Sequence, residues 1–413
     1  MSAPKAPDAV TPVHRPFRRH VFYIPGYDPI HPRRYRELYR KEGALQAKIS
    51  GYTVALTPKP QADCYGWRVT SLMEAEAEAE FDVLVWSDIV RISMDGTFLS
   101  TYLHLFRTAA VYIGTGALFR LMRLRKGPII AALYPIFFLL AQLGLAILCG
   151  FGLWKAVQLL GSGLFVDLMA AVAGLALGWA VLQWFRARDN RFFAYYLMHD
   201  YAYSARFGGA NPPELEARMR AFRQEIEAAL QGTADEVLVV GHSSGAHLAV
   251  SILADLLRDA PFQTGPKLAF LSLGQVVPMV SFLPKAKRLR ADLQFLSEQS
   301  ALTWVDVTAP GDGCAFALCD PVAVSGVARE AKIWPLVLSA AFTQTLSPAR
   351  WKALRWRFFR LHFQYLCAFD RPGDYDYFRI TAGPISLRDR YEGRKPSASR
   401  IEHSVSGYRD IAP

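Results

Sequence analysis

The chain has 413 residues, of which 52% are hydrophobic and 13% aromatic, and its formal net charge is +11. This composition excludes a disordered protein, and the length suits one large domain or two ordinary ones. A basic surface favours nucleic acid or an anionic membrane as a partner, but no zinc-finger or RNA-recognition motif occurs. Because much of the positive charge flanks apolar segments, we expect a membrane and no nucleic acid.

The cysteines and the first residues indicate the compartment. Five cysteines are scattered along the chain without a CxxC pair, which predicts a reducing environment. Residues 1–19 are rich in proline and arginine and contain no apolar run typical of a cleavable signal peptide. We expect this segment to be a mobile tail.

Short β-branched and aromatic runs predict strands in the first quarter of the chain. They lie at 20–24, 52–57 and 82–86, and a charged segment with helical spacing lies at 32–47. Glutamates alternate with alanines over 74–80, which we interpret as a solvated face without a chemical role.

Two long uncharged segments, 127–154 and 168–185, predict membrane spans. Crossing about 30 Å of hydrocarbon takes about 20 residues in a helix, so we expect transmembrane helices at about 128–153 and 164–185, joined as a hairpin. The apolar segment 97–119 is interrupted by polar side chains and predicts an interfacial or core helix, with a third span left open. Glycines that would let the two backbones approach closely are Gly144, Gly150, Gly152, Gly174 and Gly178.

Basic residues flank the hairpin on both sides, whereas its connecting loop has only Lys155. By the positive-inside rule, both ends of the hairpin face the cytoplasm. Both termini and the rest of the chain are then cytoplasmic. The flanking basic residues are Arg120, Arg123, Arg125, Lys126, Arg186, Arg188 and Arg191.

The sequence Gly241-His242-Ser243-Ser244-Gly245 follows the apolar run 236–240 and precedes a helix-forming segment. An apolar strand that ends in G-x-S-x-G predicts a sharp turn that exposes the central serine at a helix N-terminus. Ser243 is therefore a candidate nucleophile, and Gly241 and Gly245 allow strand and helix to approach closely. Further strands are predicted at 268–273 and 302–307, with helices between them, which favours a parallel sheet covered on both faces.

With this turn the chain resembles the α/β-hydrolase superfamily, over 20–106 and 191–413, with 107–190 as a membrane insertion. The resemblance implies a mostly parallel α/β sheet flanked by helices, interrupted by the two-helix hairpin. It also implies an oxyanion hole. The backbone N–H of Ser244 would supply one donor, and that of Tyr27, in the loop after the first strand, the other.

The resemblance also implies an acid and then a histidine after the serine. Asp312, in a Gly/Pro loop after the strand 302–307, is the favoured acid, with Asp320 and Asp306 as alternatives. Two histidines follow, His362 in an aromatic helix and His403 in a polar loop near the end of the chain. We predict His403 as the general base, because His362, in an aromatic helix, is better explained as a histidine packed in the core or at an interface.

The resulting hypothesis is a membrane-anchored serine hydrolase that cleaves a lipophilic carboxylic ester or thioester through an acyl-enzyme on Ser243. The resemblance implies neither a cofactor nor a metal. An aromatic and basic segment within 331–369 is a possible lid over the site. Two alternatives stay open: a catalytically silent, membrane-tethered scaffold, and an acyltransferase that uses the same serine.

Overall fold

Eight strands form one mixed sheet in the computed structural model, which describes residues 15–59, 64–161, 163–259 and 267–412. Most of the predicted tail lies outside the described residues. The strands are β1 (Phe17–Ile24), β2 (Thr53–Pro58), β3 (Gly66–Leu72), β4 (Glu76–Val83), β5 (Glu236–His242), β6 (Lys267–Leu273), β7 (Leu302–Thr308) and β8 (Leu336–Ser339).

The strand order is β2-β3-β4-β1-β5-β6-β7-β8. β3 pairs antiparallel with both β2 and β4, and every other pair is parallel. β1 and β5 are central neighbours, and Ile24 lies opposite Gly241. Since the carboxyl ends of parallel strands meet at one sheet edge, the loop after β1 and the turn after β5 lie side by side.

Helices cover both faces of the sheet. Those that precede β5 in the chain form a first group, and all but one of them lie in the long interval between β4 and β5. The first group is α1 (Arg33–Ser50), α2 (Ser87–Met94), α3 (Phe98–Gly114), α4 (Ala117–Leu124), α5 (Lys126–Gln158), α6 (Leu164–Arg186), α7 (Asp189–Phe192), α8 (Ala194–Arg206) and α9 (Pro213–Leu230). The second group is α10 (Gly245–Asp259), α11 (Val277–Ser281), α12 (Lys287–Ser297), α13 (Pro321–Val324), α14 (Phe342–Thr345), α15 (Pro348–Leu354), α16 (Phe358–His362), α17 (Tyr377–Ala382) and α18 (Leu387–Arg390), with a 3-10 helix at Phe363–Leu366.

The sheet separates two hydrophobic clusters. Alternate residues of a strand point to opposite faces, so Val21 and Tyr23 of β1 join one cluster while Phe22 and Ile24 join the other. Every residue of β5 and β7 is buried. A strand buried on both faces is typical of the centre of a parallel sheet.

The helices α5 and α6 are long and apolar enough to cross a membrane, with 33 and 23 residues and mean hydropathies of 2.3 and 2.0. They pack against each other with little space between their backbones. A Cβ at Gly150 would lie 2.6 Å from the carbonyl oxygen of Gly174. Many of their large apolar side chains are exposed, as at Leu175, which is 76% exposed.

The helix α3 covers the middle of the segment that we interpreted as an interfacial or core helix. Its inner face, with Tyr102 and Leu105, packs against α5 and α8 in a small cluster beside the main core. Its outer face presents Leu99, Leu103 and Phe106 to the surroundings, each more than 60% exposed. The helix is therefore amphipathic, with one apolar face that no part of the described chain covers.

Candidate active site

Ser243 occupies the turn between β5 and α10 and has φ of 57°. This left-handed conformation is rare for a residue with a side chain and is typical of strained functional turns. Gly241 and Gly245 are required because a side chain would not fit at either position. A Cβ at Gly241 would lie 2.7 Å from Cα of Ala246, and one at Gly245 would collide with the carbonyl oxygen of Ile24. The G-x-S-x-G sequence thus forms a sharp strand-turn-helix in which β5, α10 and the end of β1 make close contact.

The loop after β1 lies against this turn. A Cβ at Gly26 would lie 2.9 Å from Cβ of Ser243 and 3.4 Å from its Oγ. The backbone N–H groups of Tyr27 and Ser244 donate to no acceptor within the described residues. The hydroxyl of Tyr196 donates to the carbonyl oxygen of Tyr27 and holds the loop from the side of α8. The two N–H groups for which the resemblance implies an oxyanion hole are therefore unpaired within the described residues, in two segments that contact each other.

Asp312 and His362 form a buried pair in which Nδ1 of the imidazole lies 2.7 Å from a carboxylate oxygen. The same oxygen accepts from the Tyr365 hydroxyl at 3.0 Å, and the other accepts from the N–H of Cys314 at 2.9 Å. Burial opposes ionisation of Asp312, but the imidazole and these donors outweigh it and hold the pKa of this carboxyl below its usual value.

The other nitrogen of His362, Nε2, is buried and has no hydrogen-bond partner within the described residues. Ser243 and His362 line the same cavity, although no hydrogen bond joins them there. Catalytic hydrogen bonds are often long until substrate binds. An imidazole held at Nδ1 by a carboxylate, with Nε2 free, has the orientation that a general base for a serine requires.

The structure does not bring His403 to this site, so the prediction that His403 pairs with Asp312 is corrected: the histidine in contact with this carboxylate is His362. His403 is exposed and forms no hydrogen bond within the described residues. Its segment is held elsewhere, because Ile401 pairs with Cys319 and the N–H of Val405 donates to the carbonyl of Val324. The carboxylate of Asp312, to which His403 was assigned, is occupied by His362.

The two alternative acids have structural partners of their own. Asp306 lies within β7 and accepts from the Ser272 hydroxyl at 2.6 Å. Asp320 caps the N-terminus of α13, pairs with Lys332 at 2.7 Å and is buried. Of the three candidates, only Asp312 contacts a histidine within the described residues.

His242 contacts His362 of the Asp312–His362 pair. Its Nε2 lies 3.0 Å from the carbonyl oxygen of His362, and the two rings are 4.8 Å apart between centroids. Burial, together with the nearby His362, lowers the pKa of His242 to about 3. His242 is therefore neutral at physiological pH and donates Nε2–H to that carbonyl, which fixes the backbone that carries His362.

The cavity beside Ser243 has a volume of about 70 Å³, far below the roughly 300 Å³ or more of typical small-molecule sites. One wall comes from a single face of α8, which was not anticipated as part of the site. Pro128, in the first turn of α5, and Phe359 of α16 also line the cavity. The residues contributed by α8 are Tyr196, Leu197, Asp200, Tyr201 and Ser204.

Part of the segment proposed as a lid, 331–369, belongs to the sheet, because β8 pairs with β7. The part that borders the cavity is α16 with the following residue, Phe363. The ring of Phe359 lies 4.6 Å from that of Phe193 and 5.7 Å from that of Tyr196, measured between centroids. A chain longer than a short acyl group can enter only if these rings, or Pro128, move.

Potential metal ligands also occur at the site. Ligand atoms of Asp312, Cys314 and His362 lie within 4.8 Å of one another. Metal binding requires a thiolate, but burial, with nearby Asp312 and Asp200, raises the pKa of the Cys314 thiol well above its usual value. The direct bond between Asp312 and His362 also occupies Nδ1 of the imidazole, so this nitrogen is not available to a metal beside the carboxylate. The arrangement therefore fits an acid-base pair better than a metal centre.

No family model, curated protein or solved structure matches this chain. The chemistry of the site is therefore argued from its geometry. Ser243 and Asp312 were already candidates from the sequence, whereas the places of His362, Tyr365 and the wall from α8 required the structure. One signal did point to His362: it was one of only two histidines that follow the acid.

Proposed function

We propose that this protein is a serine hydrolase of the α/β-hydrolase type that cleaves a carboxylic ester or thioester. The observation that carries the proposal is the strained Ser243 at the carboxyl end of the central strand β5. It lines one cavity with the imidazole of His362, which Asp312 orients and whose Nε2 has no partner within the described residues. A silent scaffold would gain nothing from a left-handed serine and an unpartnered buried nitrogen, since each costs stability.

The proposed reaction begins when Ser243 Oγ attacks the carbonyl carbon and His362 Nε2 accepts the hydroxyl proton. Asp312 stabilises the imidazolium and keeps Nδ1 protonated. The N–H groups of Ser244 and Tyr27 would bind the tetrahedral oxyanion. His362 then protonates the leaving group, and water attacks the acyl-enzyme by the reverse proton path. An alcohol in place of water would give acyl transfer instead.

We further propose that α5 and α6 form a transmembrane hairpin, with both ends on the cytoplasmic side. Length, hydropathy and exposed apolar surface support this assignment. The outer face of α3 extends the apolar surface beside the hairpin, and apolar side chains next to basic ones suit a helix lying on an anionic leaflet. The apolar side chains on this face and on α4 are Leu99, Leu103, Phe106, Ile113, Phe119 and Met122.

Fluorophosphonate labelling of the purified full chain in detergent tests the nucleophile. We expect a stoichiometric adduct in the wild type and none in Ser243→Ala. Hydrolysis of p-nitrophenyl esters then tests the base. Because general-base catalysis contributes about 10²–10⁴ in rate, His362→Ala should lose at least 100-fold in kcat/KM, whereas the matched variant His403→Ala should keep it.

Two results would contradict the proposal: a wild type that is never labelled, or a loss of activity in His403→Ala but not in His362→Ala. The lipophilic character of the acyl group stays a prediction. It predicts a higher kcat/KM for long-chain p-nitrophenyl esters than for the acetate. The measurement is made in lipid vesicles, because the cavity in this conformation admits only short chains.

A further inference from the structure

Asp200 differs from the other carboxyls around the cavity because it has no hydrogen-bond or ion-pair partner within the described residues. Asp28 also lines the cavity, but it pairs with Arg34 at 3.2 Å and accepts from the Tyr35 hydroxyl at 2.7 Å. Asp312 is occupied by its histidine. Asp200 is half-buried on the cavity face of α8. A partly buried carboxyl that lines a cavity and has no protein partner is available to a group that binds there.

The cavity is acidic although the protein is strongly basic. The chain has 47 lysines and arginines, yet none lines the cavity in the described part of the chain. Burial raises the pKa of Asp200 to about 7, and His362 opposes the rise. Titratable groups that interact electrostatically with Asp200, from every element around it, are Tyr27, Tyr112, Tyr196, Tyr201, Cys314 and His362.

Among these neighbours, His362 alone can become a cation. Burial raises the pKa of each of the tyrosines and of the Cys314 thiol, so they stay neutral near pH 7. Above pH 7 the cavity therefore carries a negative charge at Asp200, which no arginine or lysine of the described lining balances, and the nearby Arg34 is paired with Asp28. A cationic ligand would supply the missing charge.

Aromatic rings complete the surroundings of Asp200. The ring centroids of Tyr27 and Tyr196 are 6.1 Å apart, and those of Tyr196 and Phe359 are 5.7 Å apart. Tyr201 lines the same space, and so does Phe363, whose ring already has the Arg34 guanidinium 4.6 Å from its centroid. Aromatic rings with a nearby carboxylate are the usual recognition chemistry for alkylammonium groups, because the ring faces are negative and the group is weakly hydrated.

We infer, resting on the proposed hydrolase function, that the substrate carries an ammonium group and that Asp200 is the specificity residue that binds it. The competing role for Asp200 is to stabilise the imidazolium of His362 during turnover. That role would speed the hydrolysis of neutral and cationic substrates equally. The ratio of their rates therefore separates the two roles.

The test compares acetylcholine with 3,3-dimethylbutyl acetate, a neutral ester of the same shape. At pH 8 the wild type should prefer acetylcholine about tenfold in kcat/KM, and the preference should shrink at pH 6 as Asp200 is protonated. It should disappear in Asp200→Asn. The matched control Asp88→Asn removes a carboxyl outside the cavity, one that pairs with Arg218, and should keep the preference.

A binding measurement makes the inference testable without turnover. Tetramethylammonium chloride should raise the Tm of the wild type above that in equimolar sodium chloride, and it should not do so for Asp200→Asn. Equal kcat/KM for the two esters together with no tetramethylammonium effect would overturn the inference, even if Ser243 is labelled by fluorophosphonate. Absence of labelling would overturn the proposed function instead, and the Tm comparison would still decide the cation site.

Discussion

Replacing Gly26 with alanine tests whether the loop after β1 and the serine turn work as one unit. The added Cβ would lie 2.9 Å from Cβ of Ser243 and 3.3 Å from the carbonyl oxygen of His242. Carbon atoms in favourable contact are about 3.5–4.0 Å apart. The loop and the turn must therefore separate by about 0.6–1 Å. Neither neighbour is the end of a flexible side chain, so the backbone has to move.

The expected loss follows from this displacement. A misplacement of about 1 Å at a catalytic group costs about 100-fold in rate, which corresponds to about 2.7 kcal/mol in the activation free energy. The displacement widens the gap between the Tyr27 N–H and the oxyanion, so kcat should fall more than KM rises. Overpacking costs about 1–3 kcal/mol of folding stability, which a protein of this size tolerates.

Hydrolysis of p-nitrophenyl acetate and the rate of fluorophosphonate labelling measure the effect. Gly114→Ala is the control, because a Cβ at Gly114 would meet no atom within 4 Å. We expect Gly26→Ala to lose about 100-fold in both rates while Gly114→Ala matches the wild type. A folded Gly26→Ala protein with rates within threefold of the wild type would refute the close coupling of the two loops.

Four further outcomes are expected. Asp312→Asn should lower kcat about 10³–10⁴-fold, because the amide no longer holds Nδ1 of His362 protonated; a loss below tenfold would count against the pair. Burial raises the pKa of Asp306 to about 8 from an ordinary value near 4, so the stability that its proton provides is full below about pH 4 and is lost as pH rises toward 8. Asp306→Asn should therefore reduce the fall in Tm between pH 4 and pH 8. An unchanged slope of Tm against pH would contradict this. In the hairpin, Gly150→Val should lower Tm whereas Gly152→Val, where a Cβ meets nothing within 4 Å, should not; equal Tm values would argue against tight packing of α5 on α6. Dialysis against EDTA should leave kcat/KM unchanged, and restoration of a lost activity by zinc would favour a metal centre.

Most of the sheet could be predicted because its central strands are nearly continuous apolar runs. The predictions for β5, β6 and β7 agree with the structure to within two residues at each end. β3 and β8 were missed, and the start of β4 was interpreted only as a solvated face. In β4 the alanines Ala77 and Ala79 are buried while the glutamates point outward. This alternation is the period-2 pattern of a strand, but glutamate and alanine are poor strand formers and hid the signal.

The turn at Ser243 and the loop position of Asp312 were predictable because local sequence determines them. A turn between a buried strand and a helix needs glycines at fixed positions, and the acid follows the end of a strand. The histidine is different, because its position depends on how α16 folds back onto the loop that carries Asp312. The polar surroundings of His403 favoured it over His362, which lies among aromatic residues. In the structure two of those aromatic neighbours, Phe359 and Phe363, line the cavity together with His362, so apolar surroundings accompany the histidine that we propose as the general base.

The proposed membrane hairpin contacts the loops of the candidate active site directly. A Cβ at Gly127, in the first turn of α5, would lie 3.3 Å from Cα of Gly313, next to the candidate acid Asp312. Just before it, Arg125 donates to the carbonyl of Ala317 at 2.8 Å. On the other side, α8 follows the hairpin and reaches the oxyanion loop through Tyr196. We therefore expect a movement of the hairpin to shift both the loop that carries Asp312 and the loop after β1 that carries Tyr27. If α5 and α6 lie in a bilayer as proposed, the bilayer would have a direct route to the geometry around Ser243 and to the opening of the cavity beside it.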